Sequence, residues 1–191
     1  MPLLYGERMG TSGESMSSQT AIGLLTVGFA VAVFVRHLST PLLAVGLAIS
    51  AVVLGVLADI DFRTFRLPNK IVGPFALVVI AAIVIHAIVQ SDADQALFGA
   101  TATLVWVAIL LVLNSLGQVG MGDVKLAVPL GMIAGWLGVN ALYVSMVVTA
   151  LTSALYGIVV FISARKKEGK TPEVPYGPFL ALGSVAGMLV G

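Results

Sequence analysis

Residues 126–164 read LAVPLGMIAGWLGVNALYVSMVVTALTSALYGIVVFISA and contain no charged side chain. As one α-helix at about 1.5 Å per residue, this stretch would be roughly 58 Å long, near twice the bilayer's hydrocarbon thickness of about 30 Å. It must therefore turn back on itself, and Gly138-Val139-Asn140 is the best candidate for the turn. The pattern predicts a short helix over Val124–Leu137 and a full span over Ala141–Ser163.

The rest of the chain has a similar membrane-like composition. Of its 191 residues, 59% are hydrophobic and only 10% are charged, and the mean hydropathy is +1.07. In soluble domains, about a quarter of the residues are charged. We therefore predict an all-α, polytopic membrane bundle of about seven transmembrane helices, with an N-terminal helix added to a core of six. The other predicted helices are Thr20–Val35, Pro41–Ile60, Ile71–Gln90, Gln95–Leu116 and Pro178–Val190.

Charge predicts the domain organisation and the orientation. Residues 1–19 are polar and should form a flexible cytoplasmic tail before a single transmembrane domain over residues 20–191. Three predicted loops hold most of the basic residues, and parity places these loops on one face of the membrane. Because cytoplasmic loops are enriched in Lys and Arg, we expect this face of the bundle to lie on the cytoplasmic side of the cell's inner membrane. The N-terminus would then be in the cytoplasm and the C-terminus on the outer side. The loop residues are Arg63, Arg66, Lys70, Lys125, Arg165, Lys166, Lys167 and Lys170.

Composition also excludes several classes of function. A net charge of +1 gives no argument for nucleic acid as a partner. The chain has no Cys, which removes disulfides, Cys-ligated zinc and thiol catalysis. Its two histidines, His37 and His86, cannot by themselves form a metal site, so we expect no metal and no organic cofactor. His86 is expected to make a hydrogen bond between helices, and Trp136 and Tyr143 are expected to anchor the membrane interface.

Asp61 and Asp123 are the best candidates for chemistry. Ionisable groups at membrane depth are costly, so their presence needs a reason. Two predicted helices separate these acids, and parity therefore returns them to the same membrane face. Paired carboxylates that share one site activate water in aspartic proteases. Either acid alone could be an interfacial residue satisfied by water, and the pair is what points to a site.

The residues around the two acids leave some roles open. Gly120-Met121-Gly122 precedes Asp123, and glycine would let a peptide backbone lie close to that acid, although glycine is also common packing material in membrane helices. Lys125 either anchors the cytoplasmic face or tunes Asp123. Asp59 is the competing acid, and we favour a supporting role for it, such as pairing with Lys125.

Three motifs follow one another in the chain, and the sequence that contains them resembles a known family. They are Asp61 with Leu67-Pro68-Asn69, then Gly120-Met121-Gly122-Asp123-Val124-Lys125-Leu126, then Pro175-Tyr176-Gly177-Pro178-Phe179-Leu180. Over roughly residues 42–191, the chain resembles the type IV prepilin peptidases, which are G-x-G-D membrane aspartic proteases related in motif to preflagellin peptidases. The resemblance implies that Asp61 and Asp123 are catalytic and that the supporting residues are Pro68, Asn69, Gly120, Gly122, Lys125, Pro175, Gly177 and Pro178.

The resemblance also implies a substrate. Members of that family cleave the short, basic leader of prepilins on the cytoplasmic side, usually just after a glycine, so that the mature pilin can assemble. The implied partners are prepilin-like proteins, the lipid bilayer and a pilus or secretion machinery. Many bacterial members carry paired CxxC motifs that go with N-methylation of the product. This Cys-free chain resembles the short, peptidase-only members, and methyltransferase activity is not expected.

Two other functions stay open on the sequence. The acids of a membrane protein can relay protons or ions, which would make the chain a carrier. Such a relay would be expected to place acids near the middle of the membrane, whereas both acids here fall at one face. The chain could also be a non-catalytic membrane assembly subunit, in which case loss of either aspartate would leave it working.

Overall fold

A computed structural model describes residues 11–164 and 175–191, and these residues form seven α-helices and no strand. This confirms the predicted all-helical class. The helices α2, α3, α4 and the part Val139–Ile162 of α6 are long and apolar enough to cross a membrane, so the chain is a multi-pass membrane protein. The helices are α1 (Thr11–Arg36), α2 (Pro41–Thr64), α3 (Asn69–Gln90), α4 (Ala93–Ser115), α5 (Met121–Trp136), α6 (Val139–Ala164) and α7 (Gly177–Val190).

Helices α1 and α2 extend furthest beyond the bounds that the sequence predicted. Helix α1 begins at Thr11, so residues 11–19 of the predicted tail belong to its first turns. Helix α2 continues to Thr64 and ends at Phe65, which has a left-handed φ of 53°. Asp61 therefore lies inside the last turns of a helix and not in the loop after it. The rest of the predicted tail, residues 1–10, and the basic segment 165–170 lie outside the described residues.

The predicted reversal in the uncharged stretch is confirmed at Gly138. Helix α5 ends at Trp136, α6 begins at Val139, and Gly138 between them has a φ of 105°. A positive φ of this kind is easily adopted only by glycine, which explains why the chain can turn here within so few residues. The sequence thus predicted both the need for the turn and its position.

Helix α5 lies at the centre of the bundle, in contact with α3, α4, α6 and α7. Its closest neighbour is α4, and small residues permit the approach. A Cβ at Gly135 would lie 2.6 Å from Gly99 Cα, and a Cβ at Gly131 would lie 2.6 Å from Thr103 Cα. Small residues at helix interfaces allow such close backbone packing in membranes. The first turn of α5, which carries Asp123, is thereby held inside the bundle.

Helix α7 is held by its neighbours on both sides and at its end. Gly183 and Gly187 pack against Thr149 and Ser145 of α6, where no larger side chain would fit. At the end of α7, Arg36 at the end of α1 and the adjoining His37 donate to main-chain carbonyls. The His37 Nε2 contact with Met188 O is 2.7 Å, and Arg36 contacts Leu189 O at 3.3 Å and Gly191 O at 3.2 Å.

Trp136 and His86 do not behave as the sequence suggested. Trp136 is only 9% exposed and is therefore a core residue, whereas Tyr143 is exposed as an interface anchor would be. The His86 ring packs against Trp136 in a T-shaped arrangement with centroids 5.2 Å apart. Its Nδ1 is buried and finds no hydrogen-bond partner among the described residues, so the contact that His86 makes with α5 is an aromatic one.

Candidate active site

Asp61 is buried at the end of α2 and is bound by the start of α7. Its side chain is 4% exposed, and its Oδ2 accepts a hydrogen bond of 2.9 Å from the Gly177 N–H. That N–H is one of the first donors of α7, which have no partner within their own helix. A Cβ at Gly177 would lie 2.7 Å from Asp61 Oδ2, so this position has no room for a side chain. The helix N-terminus also favours negative charge at this place.

Asp123 is buried in the first turn of α5. It is 6% exposed, and its Oδ2 accepts a hydrogen bond of 3.2 Å from the Gly120 N–H at the N-cap of the helix. Its Oδ1 is buried and has no hydrogen-bond partner in the described part of the chain. A buried carboxylate oxygen without a partner is costly, and such a group calls for a functional explanation.

Both aspartates line one open cavity of about 1250 Å³, and their carboxyl groups are close enough to interact electrostatically. Small-molecule pockets are typically about 300–1,000 Å³, so this cavity has the size expected for a larger ligand. Its walls come from the end of α2, the α4–α5 connection, α6 and the start of α7. The residues beside the aspartates include Thr64, Phe65, Arg66, Gln118, Val119, Ala150, Ser153, Ala154, Gly157, Pro175 and Tyr176.

The first two sequence motifs meet beside the cavity. A Cβ at Gly122 would lie 3.0 Å from the Cβ of the buried Leu67, which brings the start of α5 against the loop between α2 and α3. Pro68 is the N-cap of α3, and the next residue, Asn69, accepts a hydrogen bond of 3.1 Å from Lys125 Nζ. Lys125 therefore ties the start of α5 to the start of α3 through Asn69.

The model of the type IV leader peptidase family matches residues 48–162, which is more than half of the chain. The chain belongs to this type IV leader peptidase family. The predicted family is thereby confirmed, and membership of it indicates that the chain is a peptidase. No curated protein and no solved structure matched the chain.

The family match and the cavity overlap only in part. Asp61, Asp123 and the α6 wall lie within the matched residues 48–162. The third motif, residues 175–180, lies beyond the matched residues, yet it forms part of the wall of the cavity. Pro175 and Tyr176 line the cavity, Gly177 binds Asp61, and Pro178 follows in the first turn of α7, where proline is well tolerated.

Asp59, the competing acid, lies outside the lining of this cavity. Its Oδ1 pairs with Arg63, at 2.9 Å from both Nε and Nη2, in a partly exposed contact one helical turn apart. The partner is thus Arg63 and not Lys125 as we expected. Exposed ion pairs of this kind contribute little to stability, and the geometry favours Asp61 over Asp59 as the acid of the site.

The α6 wall of the cavity could not be recognised from the sequence. Ala150, Ser153, Ala154 and Gly157 recur at helical spacing and face the cavity. The same spacing of small residues is ordinary in packed membrane helices, so the pattern alone carries no functional signal. Among the described residues, no group of three or more His, Asp or Glu side chains could hold a metal ion.

Proposed function

We propose that this member of the type IV leader peptidase family is an aspartic endopeptidase that removes the basic leader of prepilin-like or preflagellin-like proteins. One observation carries the proposal: two buried carboxylates, from helices far apart in the chain, line the same cavity. The family supplies the class of reaction, and the two acids supply chemistry that can perform it.

The proposed mechanism divides the work between Asp61 and Asp123. Two close carboxylates cannot both ionise cheaply, so one is ionised and the other holds a proton. The ionised aspartate takes a proton from water, whose oxygen attacks the scissile carbonyl carbon, while the protonated one donates to the carbonyl oxygen. A proton then passes to the leaving nitrogen and the C–N bond breaks. The unpartnered Oδ1 of Asp123 is available for this exchange.

We place the cavity at the cytoplasmic side of the inner membrane. Four basic residues lie in the loops and helix ends around the two aspartates, and basic residues mark the cytoplasmic side. They are Arg63, Arg66, Lys70 and Lys125. This orientation puts the N-terminus inside and the C-terminus outside. It also makes the site accessible to leaders that have not crossed the membrane. A pilus or secretion machinery would then use the cleaved product. The proposal does not include methylation of the product.

A cleavage assay tests the proposed function. The purified chain in detergent is incubated with a prepilin that carries a basic leader, and the product is identified by its mass. We expect Asp61→Asn and Asp123→Asn each to abolish cleavage, because each removes one member of the pair. Asp59→Asn is the matched control and should retain activity, because it breaks only an exposed ion pair with Arg63.

The outcomes separate the alternatives. Full cleavage by either Asp61→Asn or Asp123→Asn would remove the two-aspartate mechanism. If the wild-type chain moves protons across vesicles in a manner that needs both acids, and cleaves no prepilin, the carrier function is the better account. If both variants support pilus assembly as well as the wild type does, the chain acts as an assembly subunit.

A further inference from the structure

The connection between α4 and α5, residues 116–120, begins with a glycine turn that the main chain of Asn114 helps to close. Gly117 has a left-handed φ of 72°, and its N–H donates to Asn114 O at 2.9 Å. The Gln118 N–H donates to Leu113 O at 3.0 Å. This pair of bonds, with glycine in the left-handed region, is the Schellman pattern that ends many helices. The end of α4 is therefore a defined turn, and the connection leaves the helix in a fixed direction.

The side chain of Asn114 holds the other end of the same connection. Its Nδ2 donates to Val119 O at 2.7 Å. A carbonyl oxygen can only accept, so the amide nitrogen of Asn114 is the atom that faces it. Val119 is buried, and a buried main-chain carbonyl needs such a donor. The connection lines the cavity of the two aspartates, whereas Asn114 itself lies outside that lining.

One peptide group joins the Asn114 bond to Asp123. The carbonyl of Val119 and the N–H of Gly120 belong to the same planar, trans peptide, and they point in opposite directions. Asn114 binds the carbonyl at 2.7 Å, and the N–H binds Asp123 Oδ2 at 3.2 Å. A bond on each edge fixes the rotation of the peptide plane. The bond at the carbonyl also polarises the peptide, which makes its N–H a stronger donor.

The bond from Gly120 determines how the carboxyl group of Asp123 lies in the cavity. It holds Oδ2, and the other oxygen, Oδ1, is the buried one without a partner in the described part of the chain. The proposed mechanism uses Oδ1, so the carboxyl group must keep this orientation. Gly120 is exposed, and its N–H could bind water instead of Asp123 if the peptide were free to rotate.

We propose that Asn114 is a positioning residue, which holds the Val119–Gly120 peptide so that the Gly120 N–H binds Asp123. It acts on the reaction through Asp123 and does not touch the substrate. The effect on rate rests on the proposed function, whereas the effect on the Gly120 N–H does not.

The first test is independent of activity. The chain is labelled with ¹⁵N-glycine and with valine that carries ¹³C at its carbonyl, so that NMR in detergent selects the peptides of Val-Gly pairs, including Val119–Gly120. Asn114→Leu removes the donor and keeps a side chain of similar size. We expect it to shift the Val119 carbonyl resonance and to speed hydrogen exchange of the Gly120 amide by about fivefold or more, the factor for loss of one hydrogen bond. An unchanged exchange rate at Gly120 would overturn the proposal.

Two matched variants serve as controls for the exchange measurement. Gln95→Leu removes a side-chain amide at the opposite end of α4, where Nε2 donates to Trp136 O at 2.6 Å. Ser115→Ala removes a hydroxyl that donates within the last turn of α4 at 2.7 Å. Neither residue lines the cavity, so both variants should leave the Gly120 amide at its wild-type exchange rate. If either control speeds this exchange as much as Asn114→Leu does, loosening of α4 is sufficient and the proposal is overturned.

The second test uses the kinetics of prepilin cleavage. Asn114→Leu should lower kcat by about fivefold to tenfold with little change in KM, because the contact acts on a reacting acid and not on the bound leader. Gln95→Leu and Ser115→Ala should keep the wild-type kcat. A rise in KM with unchanged kcat, or an equal fall of kcat in Gln95→Leu, would overturn the positioning role.

The two tests together separate this proposal from the proposed function. If the wild-type chain cleaves no prepilin while Gly120 exchange responds to Asn114→Leu as expected, the proposed function fails and the positioning contact stands. If the wild-type chain cleaves prepilin and Asn114→Leu leaves both kcat and Gly120 exchange unchanged, the proposed function stands and the positioning role is overturned.

Discussion

At the scale of single residues, Gly177 combines a backbone donor with the absence of a side chain. Its N–H donates to Asp61 Oδ2, and a Cβ at this position would lie 2.7 Å from the same oxygen and 3.0 Å from Asp61 Cγ. Contacts this short require a shift of either the helix or the carboxylate. The carboxylate is the group on which the proposed chemistry depends.

Gly177→Ala should therefore lower cleavage strongly while the chain still accumulates in the membrane. Displacement of a reacting group by about 1 Å can cost roughly 100-fold in rate, and we expect a loss of that order. Gly73→Ala is the control, since a Cβ at Gly73 meets nothing within 4 Å. Both variants are compared by prepilin cleavage at equal protein amounts. Wild-type activity in Gly177→Ala would contradict the observed packing against Asp61.

The two aspartates could be predicted from the sequence because ionisable side chains are costly in an apolar chain. The supporting contacts could not. The Gly177 N–H acts through the main chain, and Lys125 pairs with Asn69, which precedes it by an entire helical hairpin. Neither contact leaves a pattern in the local sequence. The two motifs that contain Gly177 and Lys125 could therefore mark these residues as supporting residues, but they could not predict which atoms they would contact.

At the scale of helices, α1 stabilises the end of α7 opposite the site. The last carbonyls of a helix lack partners within it and favour donors or positive charge. His37 donates to Met188 O at 2.7 Å and is only 7% exposed, whereas Arg36 makes longer, exposed contacts with Leu189 O and Gly191 O. Helix α1 lies outside the residues matched by the family model, yet its end contacts the helix that binds Asp61.

His37→Ala should destabilise the purified chain, because it leaves a buried carbonyl without a donor at a cost of about 1–3 kcal/mol. Arg36→Ala should cost less, since its two contacts are longer and exposed, and water can replace the guanidinium there. The two variants are compared by thermal unfolding in the same detergent. Equal stability of His37→Ala and the wild type would show that α1 does not hold α7 through this contact.

Helix positions were largely predictable because apolar length and charge define a span against the bilayer. The exceptions have local causes. Helix α2 continues past the apolar run to Thr64, with Asp59 and Arg63 paired one helical turn apart, and it ends where Phe65 adopts a left-handed φ. Trp136 is buried in the core, where its ring contacts His86, and its carbonyl accepts a 2.6 Å bond from Gln95 Nε2. Such contacts between helices are set by the tertiary packing.

At the scale of the whole molecule, the site requires Asp61 and Asp123 to lie on one side of the bilayer. The chain has no Cys, so single substitutions give a clean map of accessibility. In intact cells, Thr64→Cys and Gln118→Cys should be shielded from an impermeant thiol reagent, while Ser91→Cys should react. The first two positions line the cavity and are exposed, and Ser91 follows α3 at its far end. Labelling of Thr64→Cys and Gln118→Cys on opposite sides would rule out a shared site.

The central claim is that Asp61 and Asp123 act as one catalytic unit, and the rates of their single and double variants test it most directly. Single-turnover cleavage of a prepilin is measured for the wild type, Asp61→Asn, Asp123→Asn and the double variant. Residues that act as a unit are strongly non-additive. We predict that each single variant loses activity and that the double variant is no slower than either. Wild-type cleavage by either single variant, or a double loss equal to the product of the two single losses, would contradict the account.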